Sequence, residues 1–459
     1  MIESAVALAA RLTSGEISAR EVLAEHIARI EATNPTLNAI VTLTLDRAAE
    51  MAAAADDAHA HGETLGALHG LPVAHKDLAL TAGVRTTFGS PLFADNVPTV
   101  NQLQVARQHA AGAVMLGKTN TPEFGAGSHT FNTVFGVTRN PHDPRLTAGG
   151  SSGGAAAALS SGMVALADGS DLGGSLRNPA SFCGVVGFRP SPGRVPSWPE
   201  TDPWATMAVE GPIGRTVADV ALYLSVLAGP DSRVAVSLDD DPTVFRSSLR
   251  PPSGLRVAWS ATLGGLPVEA EVLDVLTAAI QRWQPDATLE DPPLGADADQ
   301  AFETLRALPM AANFGRLVDE NPGRIKATVQ WNIACGRALT PEAIGHANKL
   351  RAHIFEHMHA FWQRYDVLAC PVTQVMPFPV ETEYPTNVAG CAMSTYIEWM
   401  RVCSRVSVTG SPAISVPAGR TATGLPVGMQ LVCRPRADRF LLDVAAGFEA
   451  TVGIAESRD

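Results

Sequence analysis

Residues 149–177 read GGSSGGAAAALSSGMVALADGSDLGGSLR. Two Gly/Ser knots, Gly149–Gly154 and Ser170–Ser175, flank an Ala-rich run. Glycine has no Cβ, so backbone N–H groups in such a knot can approach a ligand, and a serine among them has an accessible hydroxyl. Ala155–Leu159 has high helix propensity, which puts the first knot at a helix N-terminus with its free N–H groups pointing outward. The second knot follows Met163–Ala167, an apolar run that reads as a buried strand. Ser151 and Ser175 lie 24 positions apart at two such ends, consistent with a hydrolytic centre and its oxyanion hole. Taken singly, each knot reads equally as a turn.

Outward from this stretch, helices and short apolar strands alternate. Ser18–Glu21 fits a capping box, and Val22, Leu23, Ile27 and Ile30 follow on one helix face, with Asn34-Pro35 as the expected stop. Leu45–His61 is a second helix, ended by Gly62. Leu68 to Asp77 reads as a strand that ends in Lys76. A lysine there either reaches solvent or sits in a polar pocket. Thr99 is the expected cap of a helix to Ala111, followed by a strand at Ala113–Leu116 and by Lys118-Thr119-Asn120, which repeats the pattern of Lys76. Residues 188–215, rich in Pro, Gly and Trp, read as loops over a site, with Trp198, Trp204 and Met207 either lining an apolar pocket or packed in the core. Residues 235–365 read as helical. Strands return at 366–371, 413–417 and 427–432. The pattern predicts an α/β fold, a mixed or parallel sheet covered by helices, in one domain over residues 1–459. The motifs fall in a core of about 66–230, and a variable helical insert spans about 235–365.

Hydrophobic residues make up 46% of the 459 and charged ones 17%, enough to build a sizeable core. A net charge of −12 argues against nucleic acid or an anionic membrane as partner. No apolar run is long enough to span a bilayer, and the first residues lack the basic-then-apolar order of a signal peptide. Six cysteines without a CxxC pair read as reduced thiols of a cytoplasmic protein.

Three other motifs compete. Gly150–Gly154 matches G-x-S-x-G with Ser152 as nucleophile, but Arg145–Gly149 is a poor strand and that motif needs one before it. No phosphate-cradling G-x-x-x-x-G-K-[ST] or G-x-G-x-x-G is present. His353 to His357 matches H-x-x-E-H, which with Glu381, Glu383 or Glu398 as third ligand would make a zinc peptidase. His359 and Arg351 beside it favour a solvated helix face.

Several ordered motifs resemble those of the amidase signature family. They are Gly70-Leu71-Pro72 with Lys76-Asp77, Thr119 to Phe124, Gly149–Gly154, Gly173-Gly174-Ser175-Leu176-Arg177, Phe182-Cys183-Gly184 and Gly424 to Gly428. The likeness is tightest over 66–230. It implies the amidase signature fold, with a mixed central β-sheet covered by α-helices on both faces, and a Ser-Ser-Lys triad: Ser175 as nucleophile, Ser151 as bridging serine on a cis peptide, Lys76 as base. It implies an oxyanion hole from the N–H groups of Leu172, Gly173, Gly174 and Ser175, a substrate-side position at Gly125, and supporting roles for Asp171 and Arg177. No metal or other cofactor is implied. His75 and Leu172 depart from the family's usual residues without removing a catalytic atom.

The expected activity is hydrolysis of small amides, including aryl amides, through an acyl-serine. Carbamate or ester hydrolysis, a glutaminase subunit of an amidotransferase, and the zinc peptidase are the alternatives. The expected partner is a small-molecule amide or carbamate, and a homodimer is left open. For Lys76 to act as a base it must be neutral, which requires about 3 pH units of depression, or about 4 kcal/mol, from burial or a nearby cation.

Overall fold

The computed structural model describes residues 2–200 and 202–453; Thr201, inside the stretch read as loops, lies outside them. Among the described residues eleven strands form one sheet: β1 Ile40–Leu43, β2 Pro72–Lys76, β3 Val114–Thr119, β4 Leu166–Asp171, β5 Val186–Arg189, β6 Val209–Gly214, β7 Val257–Trp259, β8 Thr288–Leu289, β9 Val367–Pro371, β10 Ala413–Arg420 and β11 Pro426–Val432. Their spatial order is β1-β3-β2-β4-β6-β5-β10-β11-β9-β7-β8. The sheet is mixed. The pairs β3–β2, β2–β4, β9–β7 and β7–β8 are parallel and the other neighbours antiparallel. Every residue of β2, β3, β9 and β11 is buried, so both faces are covered.

Thirteen α-helices among the described residues supply the cover. They are α1 Ala5–Ser14, α2 Ala19–Leu37, α3 Leu45–Ala60, α4 Leu103–Ala110, α5 Gly153–Ser160, α6 Arg177–Cys183, α7 Val217–Leu227, α8 Ala270–Trp283, α9 Ala296–Glu320, α10 Ala327–Arg337, α11 Pro341–Arg364, α12 Arg401–Ser407 and α13 Asp438–Val452. The α5 helix, Ala-rich and buried throughout, packs on β2, β3, β4 and β6; its small side chains let strand and helix backbones approach.

Several boundaries differ from the sequence reading. Helix α2 is capped by the Ser18–Glu21 box but runs through Pro35 to Leu37. Asn38, left-handed at φ 50°, closes its last turn by donating to Asn34 O at 2.7 Å. Helix α4 begins at Leu103, not after Thr99. The preceding residues are tied sideways: Gln102 N–H donates to Leu80 O at 2.8 Å, and Leu103 N–H to Trp198 O at 2.7 Å. The strand placed at Met163–Ala167 is instead Leu166–Asp171 and so takes in the start of the second knot. The stretch 188–215 is loop only between β5 and β6, which are sheet strands. The stretch 235–365, read as helical, also carries β7 and β8.

Candidate active site

Strand β2 delivers Lys76 to the end of its run. Its amine is buried and donates to Ser151 Oγ at 2.7 Å and to Ser170 Oγ at 3.0 Å. β2 and β4 are parallel neighbours, so Lys76 and Ser170 meet at their C-terminal ends, where open α/β sheets place their sites. Burial pushes the amine's pKa down, to about 8, against the opposing pull of Glu210, Asp171 and Asp168. Burial raises the pKa of Glu210, the neighbouring carboxyl on β6.

Ser151 lies on the turn into α5, and the Gly150–Ser151 peptide is cis. Segment 128–130 cradles this turn. Ser128 Oγ donates to Gly150 O at 2.6 Å, Thr130 Oγ1 donates to Gly149 O at 2.8 Å, and Gly153 N–H donates to Thr130 Oγ1 at 3.1 Å. Asn178 Nδ2 donates to Ser128 Oγ at 2.8 Å and so joins the cradle to α6. Gly125 borders Ser151. A Cβ there would lie 3.6 Å from Ser151 Oγ and 3.0 Å from Leu78 Cδ1, with φ at +69°.

Ser175 sits between β4 and α6, less buried than Ser151. Its carbonyl accepts from Ser152 N–H at 3.2 Å, which links the two Gly/Ser knots. The turn before it is built on Asp171. This carboxylate accepts from Gly174 N–H at 2.9 Å, Leu176 N–H at 3.1 Å, Arg177 Nε at 3.0 Å and Arg177 Nη2 at 2.9 Å. Arg189 Nη1 adds a contact at 3.2 Å. Burial alone would raise the pKa of Asp171; the two guanidiniums outweigh it and hold the carboxyl well below the usual range. Arg177 continues to Ser407 Oγ at 2.9 Å and Cys403 O at 3.2 Å, so α12 buttresses the turn. A Cβ on Gly174 would meet Cys403 Cβ at 2.8 Å, and one on Gly173 would meet Phe302 Cζ of α9 at 2.7 Å. Only glycines let the turn lie that close to both helices.

The structure therefore gathers Lys76, Ser151, Gly125, Leu172 to Ser175, Asp171 and Arg177 in one place. Of the expected oxyanion donors, the Gly174 N–H points to Asp171 Oδ1 at 2.9 Å. Ser152 Oγ is enclosed, donating to Ser170 O at 3.5 Å, and residues 148–151, directly before it, are not a strand. Lys118 is buried but donates to Thr81 Oγ1 at 2.9 Å and to Ala79 O, not to the serines. His353 and His357 are exposed on α11, and Glu383 pairs instead with Lys326 at 3.1 Å. Among the described residues no three His, Cys, Asp or Glu side chains converge as metal ligands. Trp204 is 70% exposed, and Trp198 lies under Arg233 at 3.9 Å, so of the three suggested pocket residues only Met207 packs against a core cluster. Ser170, Asp168, Ser128 and Asn178 were missed. Their one sequence signal is a set of polar residues beside the glycine knots.

The Amidase family model matches residues 21–286 and 320–442. The chain belongs to the amidase family. This amidase is 37% identical over 453 residues to an acylamidase of Rhodococcus erythropolis, covering 97% of this chain and 95% of that one. It is also 37% identical to a glutamyl-tRNA(Gln) amidotransferase subunit of Moorella thermoacetica, over 95% of this chain and 94% of that one. Its fold is similar to that of a bacterial aryl acylamidase of the amidase signature enzymes, with TM-score 0.89 and 32% identity over 98% of this chain and 96% of that one. The amidase is a hydrolase of carbon–nitrogen bonds in linear amides. No helix among its described residues is long and apolar enough to cross a membrane.

Proposed function

We propose that this amidase cleaves small amides, aryl amides among them, by a Ser175–Ser151–Lys76 relay. The neutral Lys76 amine accepts a proton through Ser151 as Ser175 Oγ attacks the carbonyl carbon. Negative charge then builds on the carbonyl oxygen. The N–H groups of Leu172, Gly173 and Ser175 stabilise it, while the Gly174 N–H keeps the turn on Asp171. The proton returns through Ser151 to the leaving nitrogen, the C–N bond breaks, and water hydrolyses the acyl-serine by the same path.

The carrying observation is the 2.7 Å contact between Ser151 Oγ and a lysine amine whose burial favours the neutral form. Likeness to an acylamidase and an aryl acylamidase supports anilides as the first substrates to try. Carbamates and esters test the same acyl-transfer chemistry. The six unpaired cysteines fit a reducing cytoplasm. The likeness to an amidotransferase component supports a second reading, a glutaminase that works with a stable protein partner. Turnover of an anilide by the partner-free protein opposes it.

The direct test is Ser175→Ala, which removes the hydroxyl and almost no volume. Nitroanilide hydrolysis is expected to fall by at least about a thousandfold with an unchanged circular dichroism spectrum. A sulfonyl fluoride is expected to label Ser175 in the wild type. Residual activity within tenfold, or an adduct mapped to Ser152, would overturn the assignment.

A further inference from the structure

Behind Lys76 lies a second buried carboxylate, Asp168. The β2–β4 ladder pairs Val73 with Leu166 and Ala74 with Ala167, and then stops. The next donor along β2, Lys76 N–H, goes to Asp168 Oδ1 at 2.8 Å. Asp168 Oδ2 accepts from His75 Nδ1 at 2.6 Å and from Gln108 Nε2 at 3.0 Å. Tyr223 O–H donates to Gln108 Oε1, which fixes which end of that amide faces Asp168. On the far side His75 Nε2 faces His109 Nε2 at 3.4 Å. His75, Asp168, Gln108 and Tyr223 are all buried.

A side chain has thus replaced the next rung of a β-ladder at the residue that carries the amine. The strands are freed to part there, while the Lys76 backbone stays clamped between Asp168 and β3, where it pairs with Thr119. Burial pushes the Asp168 pKa up, but His75 and the donors from Gln108 and Lys76 N–H more than reverse it, so the charge is kept.

We propose that Asp168 is the positioning residue for the Lys76 base: it fixes the strand at Lys76, and its charge adds to that of Glu210 and Asp171 in favouring the protonated amine, with His75 and Gln108 holding the carboxylate in place. The inference rests on Lys76 being the base. A nearby negative charge stabilises an ammonium, so loss of that charge makes the amine easier to deprotonate. The other charged or titratable groups around the pair are Glu210 on β6, Asp171 on β4, Lys118 on β3, His109 on α4, Tyr223 on α7 and Arg47 on α3. They are common to wild type and to every variant below.

The test is the pH dependence of kcat/KM for a nitroanilide. Asp168→Asn is expected to move the acid limb to lower pH by about one pH unit and to lower kcat. His75→Phe is expected to move it the same way, because Asp168 with one donor fewer gives up its charge more easily. His75→Gln, which can still donate to Asp168, is expected to bring the limb back toward the wild-type position. If Asp168→Asn does not fold, the two His75 variants decide alone. A limb at the wild-type pH in every folded variant, with only the rate lowered, overturns the inference and leaves Asp168 a packing element. Lys76→Ala separates the two claims: wild-type turnover there sinks the base assignment, whereas an inactive Lys76→Ala with unmoved limbs sinks only the Asp168 proposal.

Discussion

A lysine is a cation by default; in the proposed relay Lys76 is a base by placement. Its place at the end of β2 puts the amine against two serine hydroxyls, and burial then favours the neutral form. The sign of the pH effect follows: protonated Lys76 cannot accept the Ser175 proton, so kcat/KM should rise with pH through about 8. A pH–rate profile flat from 6 to 9 would remove Lys76 from the base role. The second residue-scale prediction concerns the leaving group. An amine anion leaves poorly and must be protonated as the bond breaks, whereas an activated phenoxide leaves unaided. Lys76→Ala removes base assistance from both substrates but acid assistance only from the amide. General acid–base help is typically about 10²–10⁴-fold, so the amide/ester ratio of kcat/KM should fall by at least about tenfold. An unchanged ratio, for an amide and an ester of the same acyl group, would give leaving-group protonation to another residue.

At the scale of the element, the turn from β4 into α6 depends on one carboxylate serving two arginines and two backbone N–H groups. Asp171→Asn would leave two buried guanidiniums with no charge to face, a loss of about 3–5 kcal/mol. Denaturant unfolding should show this as a lowered midpoint at unchanged slope; a shift below about 1 kcal/mol would mean that solvent or another group already screens the pair. Strand β2 was readable because apolar residues lead straight to a lysine. The turn itself was readable because glycines mark close approach. Asp168 and Ser170 were not readable as strand residues, since polar side chains in a buried strand look like a turn until their partners are known. Those partners, Lys76, His75 and Gln108, lie 60 to 94 positions away in the chain. Pro35 misled in the opposite direction: it lies so near the end of α2 that Asn38 can still close the final turn. Strands β7 and β8 were hidden because only three and two residues of each pair with a neighbour.

For the whole molecule, burial of neutral histidines makes stability depend on pH. His26 and His129 are buried, and burial lowers each pKa to about 4 from an ordinary 6.5. Below pH 6.5 the unfolded chain takes up protons that the folded chain refuses, so each site costs stability as pH falls, about 3 kcal/mol by pH 4. Glu210 and Glu449, whose pKa burial raises, act in the opposite sense, so the histidine effect is read by difference: His129→Gln should lose less melting temperature than the wild type between pH 6.5 and 4.5. The same pH dependence of the melting temperature in His129→Gln and in the wild type would contradict the burial of that ring. A last consequence concerns how such an enzyme can diversify. The groups of the proposed relay stand on a strand end and on turns, one of them locked by buried ion pairs. Against the turn that carries Ser175 lies α9, whose Phe302 sits beside Gly173. If the proposed relay holds, mutational libraries confined to that face of α9 would change what lies beside the turn while leaving the relay residues untouched, so new substrates become reachable by gradual change.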